Sequence, residues 1–274
     1  MKQVNKEEIL KLYNDGLSMM KIAKHFGFKS YGPIRTVLRK EGINLKLRIG
    51  SNSRVKNIDE TFFDSIDTPD KAYILGWIIS DGYVNKYKLT FCIKDLEILK
   101  KIKSIMNSDH KITDYTYYDK RTNKYYQRYS LQITSKKIVN SLTNLGVHQS
   151  KSFTVDLPDI QEHLHQHLIR GIFDGDGYIG VGVRKTGNLI ARFSMIVSEK
   201  LYNKLEPIFS NLGITFMKPL VVAEKNNEKV LKIRVYRNSE LLKFFNYIYG
   251  DGNVTKLERK YDKFRLLHAY LNKD

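Results

Sequence analysis

LIRGIFDGDG at residues 168–177 and YILGWIISDG at residues 73–82 decide how this chain is read. Each is an apolar stretch with helical spacing that stops on a carboxylate followed by glycine, Asp176-Gly177 in one and Asp81-Gly82 in the other. Gly171 and Gly175 match Gly76 and Ser80, small residues at i and i+4 on one helical face. A stripe of this kind lets two helix backbones approach closely. If the two segments pack on each other, their C-terminal ends lie side by side and Asp81 and Asp176 converge. Two carboxylates at close range repel unless a proton or a cation intervenes. Clustered oxygen donors suit Mg²⁺, which also accepts waters and phosphate oxygens in its shell.

The surroundings of the two stretches repeat as well. After YILGWIISDG come KLTFCIK, a helix DLEILKKIKSIM, a ribbon broken at RTN and a helix SKKIVNSLTNL. After LIRGIFDGDG come ARFSMIVS, a helix EKLYNKLEPIFSNL, a ribbon broken at NNE and a helix SELLKFFNYI. The order motif helix, strand pair, helix, strand pair, helix therefore occurs twice, over residues 59–156 and 157–274. A duplicated unit predicts an α+β molecule with internal pseudo-two-fold symmetry, its halves facing each other.

Composition narrows the partner. The 274 residues carry 47 Lys+Arg against 29 Asp+Glu, a net charge of +18 with a pI near 9.7. Such an excess favours an anionic partner, nucleic acid first. No apolar run approaches the roughly 18 residues of a membrane span, and MKQVNKEEIL lacks the apolar core of a signal peptide. Cys92 is the single cysteine, which excludes an internal disulfide and a cysteine-rich zinc site. The expectation is an intracellular protein that acts on nucleic acid.

Half of the net charge lies at the front: residues 1–58 hold 13 Lys+Arg and 4 Asp+Glu. Residues 1–45 read as three short helices with tight turns, Ser18 capping the second, Gly27 ending it, and Ser30 capping the third with Pro33 in its first turn. This pattern predicts a helix-turn-helix whose third helix presents Lys29, Tyr31, Arg35 and Arg39 to the DNA major groove. A small bundle with a solvated basic face is the plainer reading, and the local charge favours DNA. Residues 46–58, basic and without an acid, read as a linker along a phosphate backbone.

Strand alternation also points to a duplex. Leu131 and Ile133 oppose Arg128, Ser130, Gln132 and Thr134, while Leu89, Phe91 and Ile93 oppose Lys88, Thr90 and Lys94. In the second repeat Arg192 and Ser194 oppose Ala191, Phe193 and Met195, and Lys232, Arg234 and Tyr236 oppose Leu231, Ile233 and Val235, with Arg184 in the preceding hairpin. One face packs, and the other carries the residue types that contact base edges and phosphates. A ten-residue ribbon spans about 33 Å, so two halves cover about twenty base pairs.

With both motif copies and their flanks in view, residues 57–268 resemble a single-chain LAGLIDADG homing endonuclease preceded by a helix-turn-helix. ILGWIISDG (74–82) and IRGIFDGDG (169–177) stand as the two signatures, flanked by NIDETFFDSIDTPDKAYILG and GVHQSKSFTVDLPDIQEHLHQHLIRG. The resemblance implies two αββαββα units forming a saddle on double-stranded DNA, in a monomer that hydrolyses phosphodiesters in both strands of a long target and serves intron or intein mobility. It implies Mg²⁺, replaceable by Mn²⁺, held by Asp81 and Asp176 with the backbone carbonyls of Ser80 and Gly175. It further implies a basic residue near the scissile phosphate in each half: Lys151 in HQSKS and Lys256 in NVTKL, with Arg259 and Lys260 as alternatives to the latter. The first copy departs from the pattern, carrying Ile79 where the second has Asp174. A non-cleaving DNA-binding regulator or an RNA splicing helper on the same fold is the alternative, and the retained acid pair favours the enzyme.

Other patterns are set aside. DGDGYIGV at 174 begins like a calcium loop, but Tyr178 replaces a ligand and Lys185 stands at the twelfth position. His163, His165 and His167 lack an acidic or cysteine partner at fixed spacing. The tyrosines of TYYDKRTNKYYQRY more often pack on cross-strand neighbours than on bases, and the Gly-x-Gly at 180–182 lacks the strand-then-helix setting of a nucleotide loop.

Overall fold

The computed structural model describes residues 5–43, 57–183, 185, 189–250 and 252–272. The chain divides into two compact units, residues 1–56 and 57–274. Among the described residues no helix is long and apolar enough to cross a membrane. The linker expected over 46–58 lies outside the described residues except for Asn57 and Ile58, and Arg184 lies outside them too.

The first unit holds three helices, α1 (Lys6–Asn14), α2 (Met19–His25) and α3 (Gly32–Lys40), around Ile9, Tyr13, Ile22, Ala23, Ile34 and Leu38. The Asn5 side chain accepts from Glu7 and Glu8 N–H, and Ser18 Oγ accepts from Lys21 N–H at 3.3 Å. Gly27 leaves α2 with φ +76°, a conformation that costs glycine little. The expected Ser30 cap is absent, and Tyr31 stands at the N-cap of α3 without a side-chain bond. Starting the helix at Ser30 would place Pro33 at the third position, where it has no N–H to donate to the serine.

The second unit alternates helices and hairpins twice. The first pass runs α4 (Pro69–Asp81), β1 (Gly82–Asn85), β2 (Lys88–Ile93), α5 (Leu96–Ile105), β3 (Ile112–Asp119), β4 (Lys124–Thr134) and α6 (Lys136–Asn144). The second runs α7 (His165–Asp176), β5 (Tyr178–Val183), β6 (Leu189–Ser198), α8 (Glu199–Asn211), β7 (Leu220–Lys225), β8 (Glu228–Val235) and α9 (Asn238–Tyr249). The strands form two antiparallel four-stranded sheets of like order, β1-β2-β4-β3 and β5-β6-β8-β7. The mixed αββαββα repeat expected from the sequence is thus present. The second repeat adds α10 (Glu258–Leu271), which buries Lys260, Phe264 and Leu267 against α9, β5 and β6. Residues 145–161, which follow α6 in the first repeat, hold no helix.

Each sheet packs one face on helices, through Leu89, Phe91, Leu131 and Ile133 in one repeat and Phe193, Met195, Ile233 and Val235 in the other. The register places Lys88 beside Thr134, Thr90 beside Gln132 and Tyr115 beside Arg128 on the open face of the first sheet. On the second sheet it places Ser194 between Tyr178 and Arg234, and Ile196 beside Lys232. Ser130 and Ser194 share these open faces by register yet are buried. Each is a short side chain beside longer ones on the same face: Arg128 and Gln132 flank Ser130 along β4, and Tyr178 and Arg234 flank Ser194.

Between the halves, α4 lies against α7 at backbone distance. A Cβ on Gly76 would sit 2.8 Å from Ile172 N and 2.9 Å from Gly171 Cα, and one on Gly171 would sit 3.0 Å from both Gly76 Cα and Trp77 N. One turn on, a Cβ on Gly175 would lie 2.7 Å from Ser80 Cβ. Ser80 Oγ bonds back to Gly76 O at 3.1 Å, so its hydroxyl makes no demand on the facing helix. Gly171→Ala is therefore expected to lower unfolding stability by about 1–3 kcal/mol through overpacking. Gly182→Ala, where a Cβ meets nothing within 4 Å, is the control. Equal denaturation midpoints for the two variants would contradict the backbone contact.

Candidate active site

Asp81 and Asp176 are the last residues of α4 and α7, and both open to solvent. Each is followed by a glycine because the chain turns straight from helix into strand. A Cβ on Gly82 would lie 2.6 Å from Ile78 Cα, and one on Gly177 would lie 2.5 Å from Phe173 O. The carboxylates face water at their tips but are surrounded by protein below. Burial pushes both up, and for Asp176 the charge of Asp81 adds to it, reaching about 6. Lys260 and Arg128 pull Asp81 down, and Lys151 and Lys260 pull Asp176 down. Desolvation of the pair thus outweighs the pull of the neighbouring cations.

That arrangement fits a hard divalent cation. No cluster of three His, Cys, Asp or Glu side chains forms a metal cage among the described residues. A cation held by Asp81 and Asp176 would complete its shell with backbone carbonyls, water and phosphate oxygens, which is the habit of Mg²⁺. His167, from the set-aside histidine trio, is engaged by Arg170 Nη1 at 2.8 Å, and burial depresses its ring to about 4.

An ammonium closes the end of each motif helix. Lys151 is buried, and its Nζ donates to the Gly82 carbonyl. Burial lowers its pKa while Asp176 and Asp81 oppose that shift. In the second half the expected Lys256 points elsewhere. Its Nζ donates to Gly252 O at 2.7 Å and lies 4.6 Å from the Tyr261 ring centre. Lys260 takes the corresponding place, donating to Phe173 O at 2.6 Å, Asp174 O at 2.9 Å and the Gly177 carbonyl, with Gly175 O at 3.4 Å. Burial lowers its ammonium to about 8. Arg259, the other alternative, is bound to Asp95 across the halves at 3.1 Å. Lys256 precedes α10, whereas Lys260 lies within its first turn on the buried face. The spacing Lys260, Phe264, Leu267 is the signal that could have identified it. A cation at a helix C-terminus also satisfies orphan carbonyls and the helix dipole.

A buried polar group that the sequence reading left without a role lies beside the site. Asp174 is fully buried and accepts from Tyr73 Oη at 2.8 Å, Tyr249 Oη at 3.0 Å and Leu257 N–H at 2.8 Å. Arg170 next to it donates to Thr255 O and Ile248 O.

On the open sheet faces Lys88, Gln132, Thr134 and Arg192 are exposed, as are Lys94 just beyond β2 and Tyr236 just beyond β8. Thr90, Arg128, Lys232 and Arg234 are half-buried. Arg128 reaches the Cys92 carbonyl and Arg234 the Lys218 carbonyl, both at 3.4 Å. Exposed Tyr83, Tyr115, Tyr126 and Tyr178 share these faces and were not singled out as DNA contacts from the sequence. In the first unit Lys29, Tyr31, Arg35 and Arg39 are all exposed.

Asp174 makes a pH test available. Burial lifts its carboxyl from 3.8 to about 6 against the pull of Lys260 and the hydrogen-bond donors. A carboxyl raised in the folded state binds its proton more tightly there than in the unfolded chain. Its stabilisation is complete below about pH 4 and is lost as pH rises through about 6, by up to about 3 kcal/mol. The stability of the parent relative to Asp174→Asn is expected to fall across that window in denaturant titrations. A difference independent of pH would contradict the raised carboxyl.

Comparison with known proteins agrees with this geometry. The model of the LAGLIDADG-like domain family matches residues 68–145 and 164–249. Among solved structures, the homing endonuclease I-WcaI bound to its DNA recognition sequence is 13% identical, with a TM-score of 0.51 over 80% of this chain and 96% of that one. Meganuclease I-SmaMI bound to uncleaveable DNA is 14% identical, with a TM-score of 0.50 over 75% and 92%. A DNA-directed RNA polymerase subunit Rpo1C of Methanocaldococcus jannaschii is 26% identical over 179 residues, 57% of this chain but only 20% of that protein. The match thus spans about a fifth of that relative's length. With both motif copies inside the matched segments, the chain belongs to the LAGLIDADG-like domain family.

Proposed function

We propose that this protein is a site-specific endonuclease that makes a divalent-metal-dependent double-strand cut in a long DNA target. The observation that carries the reading is the pair Asp81 and Asp176, delivered by touching helices to one place, with a buried ammonium behind each helix end. Asp81 and Asp176, with the carbonyls of Ser80 and Gly175, would hold Mg²⁺ or Mn²⁺. The bound ion supplies charge neutralisation at the phosphate and a water of lowered pKa. Lys151 and Lys260 add positive potential where negative charge develops on the phosphate. Lys260 replaces Lys256 in this assignment because of where its ammonium lies. The open sheet faces, with Lys88, Thr90, Lys94, Gln132, Thr134, Arg192, Lys232, Arg234 and Tyr236, take the duplex on either side of the cut.

Support comes also from the relatives, since I-WcaI and I-SmaMI are described in complex with DNA. Two motif copies in one chain complete the paired site without a second subunit, so the active form is a monomer. The first unit extends the target, with Lys29, Tyr31, Arg35 and Arg39 on flanking DNA.

The deciding experiment selects bound duplexes from a randomised library and then adds Mg²⁺. Replacing Asp81 and Asp176 by Asn is expected to abolish cleavage of both strands while leaving affinity nearly unchanged. Full cleavage by the double variant would end the enzyme reading, and binding without any cleavage by the parent would favour the non-cleaving regulator.

Removing residues 1–56 deletes 13 basic and 4 acidic residues. The slope of log K against log salt scales with the phosphates neutralised, so the shortened chain should bind more weakly and with a shallower slope. Its cut positions should stay the same. Identical slopes would mean that the first unit binds something other than that DNA.

A further inference from the structure

We infer that Asp174 is a positioning residue for Lys260, so that one of the two strand cuts depends on it and the other does not. This rests on the endonuclease reading for its kinetic test, though not for its structural one.

The carboxylate joins four elements. Its Oδ2 accepts from Tyr73 on α4 and from Leu257 N–H, its Oδ1 accepts from Tyr249 on α9, and it stands on α7 itself. Leu257 is the N-cap residue of α10. The bond to its N–H therefore fixes where α10 begins, and Lys260 lies three residues further on, within the first turn. From there the ammonium returns to the carbonyls of Phe173 and Asp174. The chain between Tyr249 and α10 is further tied down by Arg170 on Thr255 O at 2.9 Å and by Thr255 Oγ1 on Asp70 at 2.8 Å.

The first half has no such device. Ile79 occupies the position of Asp174, and Leu75 that of Arg170. Its ammonium, Lys151, comes from residues 145–161, which hold no helix, and reaches the Gly82 carbonyl. Two similar ammonium positions are thus held by unrelated means. A change at Asp174 should displace one of them and leave the other in place.

Strand-resolved cleavage tests this on a duplex that the parent cuts, each strand labelled separately. Lys151→Met and Lys260→Met first establish which strand each half serves. Asp174→Leu, similar in size but without an acceptor, is expected to slow the Lys260 strand by about tenfold or more relative to the other, so that nicked duplex accumulates. Asp174→Asn keeps an oxygen for Leu257 N–H and should restore most of the lost rate. Equal slowing of both strands, or slowing of the Lys151 strand, would overturn the inference, because a general loss of structure spares neither half.

Lysine acetylation read by mass spectrometry gives an answer that needs no cleavage. Lys260, nearly inaccessible in the parent, should react several-fold faster in Asp174→Leu while Lys151 keeps its parent rate. An unchanged Lys260 rate, or equal acceleration of both lysines, would overturn the inference. A folded parent that cuts no DNA would sink the endonuclease reading alone, and the labelling would still decide this one. If Asp174→Leu does not fold, Tyr249→Phe removes one of the bonds to Asp174 and should shift both readouts the same way by a smaller factor. No selective shift in that variant would count against the inference.

Discussion

The contact between α4 and α7 is the constraint on which the rest of the second unit depends. At Gly76 and Gly171 the two helices touch through main-chain atoms, a separation that any side chain would enlarge. Because the helices touch along this stripe, their ends cannot drift apart, and Asp81 and Asp176 arrive together. The sheets are then placed on either side, each entered directly from a motif helix through Gly82 or Gly177. One packing decision thus sets the acid pair, the start of β1 and β5 and the relation of the two halves.

Convergence of two carboxylates would weaken the fold if nothing balanced it. Burial and mutual repulsion raise Asp176 to about 6. The balance comes from Lys151 and Lys260, which sit behind the helix ends and donate to carbonyls there. The same ammonium groups therefore serve the fold and set the potential at the open side. The tips of the aspartates still face water, where a cation and a phosphate can approach them.

The two halves reach a similar electrostatic result by different structures. In the second half a buried network of Asp174, Tyr73, Tyr249 and Arg170 joins both repeats to the chain leading into α10. The first half fills the equivalent volume with Ile79 and Leu75. A buried carboxylate is tolerated in the second half because its acceptor oxygens are occupied by buried donors. Pseudo-symmetry in the backbone is thus combined with chemical asymmetry in the side chains.

How much of this was legible in the sequence follows from the range of each interaction. Periodicity and spacing are local, so the repeat order, the small-residue stripe, the acid pair and the open sheet faces could be read from the chain. Ser130 and Ser194 share the open faces yet are buried, because parity assigns a face but does not tell how far neighbouring side chains overhang it. The Ser30 cap is absent for a local reason, the missing N–H of Pro33. Lys256 and Lys260 differ by four positions and both lie downstream of Asp176. Only the docking of α10, fixed through Leu257 to a carboxylate on another helix, decides which ammonium reaches the carbonyls. The sequence by itself determined the repeat and the small-residue stripe of each motif helix ending on Asp81 or Asp176, because these are patterns along the chain. Tertiary structure decided that the Lys260 ammonium, and not that of Lys256, reaches the end of α7, because that depends on bonds between residues more than eighty positions apart.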